Sequence, residues 1–269
     1  MDLALAYQTA VVIGGAKGIG RAIGEAFAAE RAKVVLADVD PAVSQAAAEI
    51  GGKHDADVFG YEVDATDYTA LQALSAAVLT QHGGCNHLVY AAGVGSGKYG
   101  FPFWNLDPDD WDFVLRVNLL GAVNTAHAFT AQMTAQQDGS MLFLSSIAGQ
   151  IGSQTDPPYS AAKAAVINFA QCAAKDLAKY NVRVNAICPG MVKTTVNRSV
   201  WQAWFSQQPE DDRRSYDEWA DEKVKNVAPL GRWQTVEDIA NLAVFLASYR
   251  AENITGQTLN VDGGQVMHW

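Results

Sequence analysis

Thr9-Ala10-Val11-Val12-Ile13-Gly14-Gly15-Ala16-Lys17-Gly18-Ile19-Gly20 decides how this chain of 269 residues folds. Thr9 to Ile13 reads as a short buried strand, the glycines as a tight turn, and the alanine-rich run from Arg21 to about Glu30 as a helix. Glycines at such a turn let the backbone bend sharply and approach a pyrophosphate, which would sit on the free N–H groups and positive dipole end of the new helix. A second apolar strand, Lys33-Val34-Val35-Leu36-Ala37, then leads to Asp38, eighteen residues beyond Gly20. An acid there can accept hydrogen bonds from both ribose hydroxyls of an adenosine, and its charge repels a 2′-phosphate. Strand, glycine turn, helix, strand and acid in that order point to dinucleotide binding far more firmly than glycines alone.

Outward from this unit the same alternation continues. Apolar runs near 9–13, 33–38, 58–63, 87–91, 140–145, 182–188 and 257–262 read as strands with helical stretches between them. The pattern predicts an α/β fold, one Rossmann-type doubly wound domain over 1–269 with a seven-stranded parallel sheet. Its first two crossovers should be right-handed. The strand ends near Gly14, Gly93, Ser146 and Pro189 should then gather at one edge, where such sheets bind ligands.

Chemistry enters with Pro158-Tyr159-Ser160-Ala161-Ala162-Lys163, preceded by Ser146 thirteen residues before the tyrosine. On a helix, residues i and i+4 share a face, so the Lys163 ammonium should lie beside the Tyr159 phenol. A cation ~4 Å away at an effective dielectric of ~20 is worth roughly 4 kcal/mol, which would lower a phenol from its usual ~10 by about three pKa units. Such a phenol can exchange a proton with an alcohol or carbonyl oxygen near neutral pH. Each residue alone has a plainer reading: Ser146 as a turn cap, Tyr159 as a core aromatic, Lys163 as a solvated helix lysine.

With these residues in view, the chain resembles the short-chain dehydrogenase/reductase family over nearly its whole length. Gly14, Gly18 and Gly20 match the family's three glycines, although Ile13 stands where Thr or Ser is usual. Val63-Asp64 matches the segment beside the adenine, and Tyr90-Ala91-Ala92-Gly93 replaces the Asn-Asn-Ala-Gly turn with both asparagines missing. Any strand-bracing bonds those asparagines make must therefore be replaced. Asn118 matches the asparagine that bends its helix and helps hold a water against the lysine. Cys188-Pro189-Gly190-Met191-Val192-Lys193-Thr194 resembles the segment whose threonine holds the nicotinamide carboxamide, with Cys188 a packing change.

The resemblance implies catalysis by Asn118, Ser146, Tyr159 and Lys163. It also implies a cofactor crevice made by Gly14, Lys17, Gly18, Ile19, Gly20, Asp38, Val39, Asp64, Ala65, Ala91, Ala92, Gly93, Pro189, Gly190, Val192 and Thr194, with Tyr159 and Lys163. The expected reaction interconverts a secondary alcohol and a ketone by hydride transfer, with Lys163 also binding the nicotinamide ribose. The positive nicotinamide ring should depress the tyrosine further.

Cofactor choice turns on two residues. Asp38 favours NAD, whereas Lys17 occupies a place where NADP-preferring relatives often carry a base; a carboxylate facing a 2′-phosphate costs several kcal/mol, and a flexible lysine can turn to solvent or the pyrophosphate side. NAD is the expected cofactor.

Between Thr195 and Val227 a polar, tryptophan-bearing insert carries Trp201, Trp204, Phe205 and Trp219 and should form a helical lid (195–227) over the substrate. Its aromatic residues either stack on a ligand or pack the lid onto the body. Ser96, Ala148, Gln154, Met191 and Trp201 are the candidate substrate contacts, and the polar walls favour a sugar, polyol or cyclic alcohol. Two rivals stand beside this reading: a 3-oxoacyl thioester reductase using NADPH, and a non-catalytic nucleotide-sensing scaffold, which would have no use for a tuned phenol.

Charge and composition exclude other classes. A formal charge of −10 without a Lys/Arg cluster argues against nucleic acid. No apolar run approaches the ~18 residues of a membrane span, and the N-terminus lacks a secretory pattern. Cys85, Cys172 and Cys188 lack Cys-x-x-Cys spacing and the histidines lack ligand spacing, so they predict buried thiols in a reducing cytoplasm and no metal. The family resemblance implies a homotetramer, with helices around 107–134 and 157–179 in the contact and the tail Val266-Met267-His268-Trp269 against a neighbour.

Overall fold

The computed structural model describes residues 2–153 and 155–267. In chain order it runs β1 (Thr9–Ile13), α1 (Gly18–Ala29), β2 (Lys33–Asp38), α2 (Val43–His54), β3 (Val58–Glu62), α3 (Tyr68–His82) and β4 (His87–Tyr90). Next come α4 (Asp109–Leu115), a π-helical turn (Arg116–Leu120), α5 (Gly121–Gln136), β5 (Gly139–Leu144), α6 (Ala148–Ile151) and α7 (Pro157–Leu177). The chain ends with β6 (Val182–Pro189), α8 (Thr195–Phe205), α9 (Tyr216–Val227), α10 (Val236–Ala247) and β7 (Thr258–Val261).

The seven strands form one sheet, all parallel, in the order β3-β2-β1-β4-β5-β6-β7. Alternation along β1 serves two cores at once, because successive side chains point to opposite faces. Ala10 and Val12 pack with Ile23 and Phe27 of α1, Ile50 of α2 and Ile239 and Ala243 of α10. Val11 and Ile13 pack with Leu71 and Val78 of α3, Phe129 and Met133 of α5 and Val166 and Ala170 of α7. Strands buried on both faces explain the near-continuous apolar runs of the sequence. The result is the three-layer doubly wound architecture expected.

Strand order reverses at β1, which pairs with β2 on one side and β4 on the other, Ile13 lying opposite both Ala37 and Tyr90. The crossovers leave these neighbours in opposite directions and open a crevice beyond the strands' C-terminal ends.

The helix expected over 107–134 is interrupted. Asn118, fully buried in the π-helical turn, donates to the Val94 carbonyl at 2.7 Å and accepts from the Val94 N–H at 2.9 Å. Tyr90 donates its hydroxyl to the Val117 carbonyl in the same turn. These bonds brace the ends of β4 and α5 where the family's asparagines are missing. The second long helix, α7, starts where Asp156 accepts from the Tyr159 N–H and proline occupies the first turn, positions where a missing N–H costs nothing.

Cys85 and Cys188 are buried as expected, whereas Cys172 is exposed on α7. At the C-terminus, Val266 donates to the Asp262 carboxylate at 2.7 Å and accepts from Asn260 at 3.1 Å; His268 and Trp269 lie outside the described residues. Among the described residues no helix is long and apolar enough to cross a membrane.

Candidate active site

The crevice at the switch point has a volume of about 380 Å³. Its floor is the glycine turn. Gly14 adopts φ +86°, and a Cβ there would stand 2.5 Å from the Ala92 nitrogen. At Gly20 a Cβ would lie 2.0 Å from the Gly14 carbonyl oxygen, so only glycine lets α1 begin this close to β1. Lys17, at the N-cap, offers α1 no side-chain acceptor, and the first residues of the helix, Gly18, Ile19 and Gly20, line the crevice. This is a cradle for a phosphate-bearing dinucleotide.

Asp38 closes one end. Its carboxylate accepts from the Ala16 and Asp40 N–H groups, each at 3.0 Å, which fixes it at the mouth of β2 with lone pairs to spare for a ligand. The Lys17 ammonium lies 3.2 Å from Asp40 in an exposed ion pair.

At the other end, Ser146, Tyr159 and Lys163 come together from the end of β5 and the first turns of α7. Ser146 Oγ accepts from the Ala148 N–H at 3.1 Å and hydrogen-bonds the Tyr159 hydroxyl. Lys163 Nζ donates to the Leu144 carbonyl at 2.7 Å and lies 5.5 Å from the centre of the Tyr159 ring. Ser145 Oγ donates to the Lys163 carbonyl at 2.7 Å and pins α7 to β5. A Cβ on Gly93 would meet Asn118 Oδ1 at 3.1 Å and Lys163 Nζ at 3.3 Å, so these two polar groups converge on one glycine.

A dinucleotide cradle and a Ser-Tyr-Lys cluster in one crevice agree with what this sequence is similar to. The family model described as "Enoyl-(Acyl carrier protein) reductase", a short-chain dehydrogenase/reductase model, matches residues 14–266. The chain belongs to the short-chain dehydrogenase/reductase family. It is therefore an oxidoreductase acting on CH–OH groups.

Similar proteins of this family span it end to end. Galactitol 2-dehydrogenase of Agrobacterium fabrum is 34% identical over 97% of this chain and 98% of its own length. The 3-oxoacyl-(acyl-carrier-protein) reductase FabG of Thermotoga maritima is 31% identical over the same shares, 97% and 98%. The crystal structure of L-sorbose reductase from Gluconobacter frateurii, complexed with NADPH and L-sorbose, superposes with a TM-score of 0.90 at 28% identity and covers 100% of both chains.

The electrostatics of this short-chain dehydrogenase/reductase differ from the sequence expectation. Burial pushes Tyr159 up to about 12, opposed by the Ser146 hydrogen bond and reinforced by Asp156 and Cys188. Burial likewise pushes Lys163 down to about 8. The ammonium points at the Leu144 carbonyl and meets the ring only at 5.5 Å, so desolvation outweighs the cation that was expected to lower the phenol. Cys188, with its thiol bonded to Ser145, is raised to about 11 by burial and does not ionise near neutral pH.

Of the residues singled out in the sequence, Gly14, Lys17, Gly18, Ile19, Gly20, Asp38, Val39, Ala91, Ala92, Gly93, Pro189, Gly190, Val192 and Thr194 line the crevice, as do Ser146, Tyr159 and Lys163. Asn118 stands behind Gly93. Asp64 and Ala65 do not reach the crevice: the Asp64 carboxylate turns to the Thr66 N–H and hydroxyl, both at 2.8 Å, and Ala65 is buried in the core.

Among the substrate candidates, Trp201 packs inside the 195–227 segment against Phe205 and Tyr216, with ring centres 5.1 and 5.8 Å away, and donates to the Arg214 carbonyl. Ser96 is bound through its N–H to Asp156 at 2.8 Å. Ala148 and Met191 engage the chain through their backbones, Ala148 with Ser146 and Ser160 and Met191 with Gln234. None of these four lines the crevice. Gln154 lies outside the described residues.

Sequence reasoning missed Asp156, which holds Ser96 with one oxygen and the Tyr159 N–H with the other. It also missed the reciprocal amide pair of Gln150 and Asn260, at 2.8 and 2.9 Å, which ties α6 to β7. The Asp156-Pro157-Pro158 capping signature, three residues before the tyrosine, was the available signal for the first; a pair 110 residues apart had none.

Proposed function

We propose that the chain interconverts a secondary alcohol and a ketone on a sugar, polyol or cyclic alcohol, with NAD as the hydride partner and Ser146, Tyr159 and Lys163 as catalytic residues. The observation that carries this reading is the convergence of those three side chains at one end of a crevice whose other end is Asp38. Two of the similar proteins, by their names a galactitol dehydrogenase and a sorbose reductase, favour the hydroxylated substrate class. The sorbose reductase was complexed with NADPH. In this chain Asp38 would face a 2′-phosphate with like charge, so the cofactor preference is argued from the residues themselves.

Gly14, Gly18, Ile19 and Gly20 would hold the pyrophosphate, Asp38 and Val39 the adenosine, and Gly190, Val192 and Thr194 the nicotinamide end. When bound, the nicotinamide supplies the hydride acceptor. Ser146 orients the substrate oxygen beside Tyr159, and Tyr159 takes the hydroxyl proton as hydride leaves the carbon. With a phenol at about 12, proton removal needs added positive charge: Lys163, still mostly protonated at neutral pH, supplies part of it. The Leu144 carbonyl holds that ammonium in place. In reduction the same phenol donates its proton, the form in which burial already keeps it.

The test measures reduction of NAD and NADP with a panel of polyols, sugars and cyclic alcohols, and oxidation of NADH and NADPH with acetoacetyl thioesters. Tyr159→Phe should lower turnover by about 10²–10⁴-fold while leaving dinucleotide binding in place. Full turnover in that variant would end the mechanism. A second reading, a 3-oxoacyl thioester reductase, draws on the 31% identity to FabG. Turnover confined to NADPH and thioesters would replace the first reading with it.

A further inference from the structure

Beside the dinucleotide crevice lies a second cavity of about 380 Å³, lined by Lys17, Gly18, Lys193, Thr194, Arg198, Tyr216 and Asp217. It shares Lys17, Gly18 and Thr194 with the crevice, so the two meet at the glycine turn. Three of its seven lining residues are cations and one is an acid, in a protein whose formal charge is −10. Two helices start at this point: α1 at Gly18, without a side-chain cap, and α8 just after Thr194. Their positive dipole ends add to the three cations.

We infer that Lys17, Lys193 and Arg198 form a phosphate clamp, in which Arg198 of the lid, Lys193 just before it and Lys17 of the glycine turn close on the pyrophosphate of the bound dinucleotide. The inference rests on the dinucleotide reading above and extends it to the lid.

The partners of the three cations differ in a way that suits this role. Lys17 is held by Asp40, and Lys193 lies 3.2 Å from Asp217 and 3.9 Å from Asp221 of α9. These are exposed pairs, worth little in water and easily exchanged for a ligand. Arg198 makes no ion pair among the described residues; its guanidinium stands over the Tyr216 ring, 4.6 Å from the centre. The Tyr216 hydroxyl donates to Asn197 at 2.8 Å, and Asn197 itself lines the crevice. The ring that carries Arg198 is thereby fixed to the start of α8. A planar fork on a fixed ring matches two phosphate oxygens at once, where a lysine offers only a point charge.

Such a clamp makes the cofactor a structural part of the lid. Phosphate bridging Lys17 to Lys193 and Arg198 would tie α8 to the start of α1, so the substrate side would close only when the dinucleotide is in place.

The experiment uses the full chain and the variants Arg198→Gln, Lys193→Gln and the double variant, each first checked by circular dichroism. Dissociation constants for NADH and NADPH are measured by calorimetry at two salt concentrations, and inorganic phosphate is titrated against the fluorescence of the lid tryptophans. The expected result is weaker binding of NADH by about tenfold in Arg198→Gln and more in the double variant, a shallower salt dependence, and loss of the phosphate response. Nicotinamide riboside and adenosine, which carry no phosphate, should bind the variants and the parent alike. Unchanged NADH affinity and salt dependence overturn the clamp. Weaker NADPH binding with unchanged NADH binding overturns it too, because the cavity would then serve the 2′-phosphate. If the parent prefers NADPH and the variants still lose affinity for NADPH and phosphate alike, the NAD preference fails and the clamp stands.

Discussion

The glycine-turn body and the tryptophan lid bury their groups by opposite means. In the body, β1 and its neighbours are enclosed on both faces, and Lys163 is 3% exposed with a backbone carbonyl for company. In the lid, Tyr216, Trp219, Ala220 and Val224 are buried among the described residues, the first three packed by Val200, Trp201, Trp204 and Trp233. Cations cover its rings: Arg213 over Phe205 is exposed, Lys223 over Trp219 is half-buried, and Lys193, just before the lid, stands over Trp233. A close-packed body fixes distances and shifts pKa values, whereas a small aromatic cluster under exposed charges can open at modest cost. Fixed chemistry beside a movable cover is what hydride transfer away from water requires.

The largest expected effect breaks the body. Gly20→Ala would bring a Cβ to 2.0 Å from the Gly14 carbonyl and 3.2 Å from Ala91 Cβ. Backbone on the first side cannot yield without moving β1. We expect a loss of about 3 kcal/mol in urea unfolding, and at least hundredfold weaker dinucleotide binding. Near-normal stability and affinity would mean that the turn is far softer than the close approach of α1 to β1 implies.

Next comes the lid. Trp219→Ala removes the largest ring of its small core, at a local cost of about 3 kcal/mol. If the lid opens independently, the main thermal transition should move by no more than a few degrees, while trypsin cleavage after Arg213 or Arg214 accelerates about hundredfold. Should the main transition fall in step with cleavage, lid and body unfold together and the contrast between them is lost.

The same contrast governs what was legible in the sequence. The strands and the crevice residues from Gly14 to Thr194 could be read because each depends on local spacing: period-two apolar runs, glycines at a turn, a tyrosine and lysine on one helical face. Trp201 could not be placed, since the composition of the lid fits both a ligand platform and an internal core, and only packing against Tyr216 and Phe205 decides. Asp64 matched by position yet turned to Thr66, a choice made by a local hydrogen bond that spacing does not reveal. The direction of the tyrosine shift was misread for a similar reason. The i+4 spacing brought Lys163 to the right face, but a backbone carbonyl, which has no signature in sequence, took its proton donor, and burial set the balance.

That buried lysine gives the smallest and sharpest test. Its pKa in the folded protein, about 8, lies below the 10.5 of the unfolded chain. Between those values the unfolded chain holds more protons, so stability must rise with pH; the penalty is complete below about pH 8 and gone above 10.5. From pH 7.5 to 9.5 the wild type should gain roughly 2 kcal/mol relative to Lys163→Met, which has no ammonium to desolvate. Urea unfolding of both proteins at the two pH values reads the difference directly, and the pairing cancels groups common to both. Tyr159 does not interfere, because its shift from 10 to about 12 keeps a proton on the folded protein only above pH 10, where it lowers stability. Parallel curves for the two proteins would place the ammonium in water, and the contrast between a sealed body and an exposed lid would fail at the residue on which the proposed proton transfer depends.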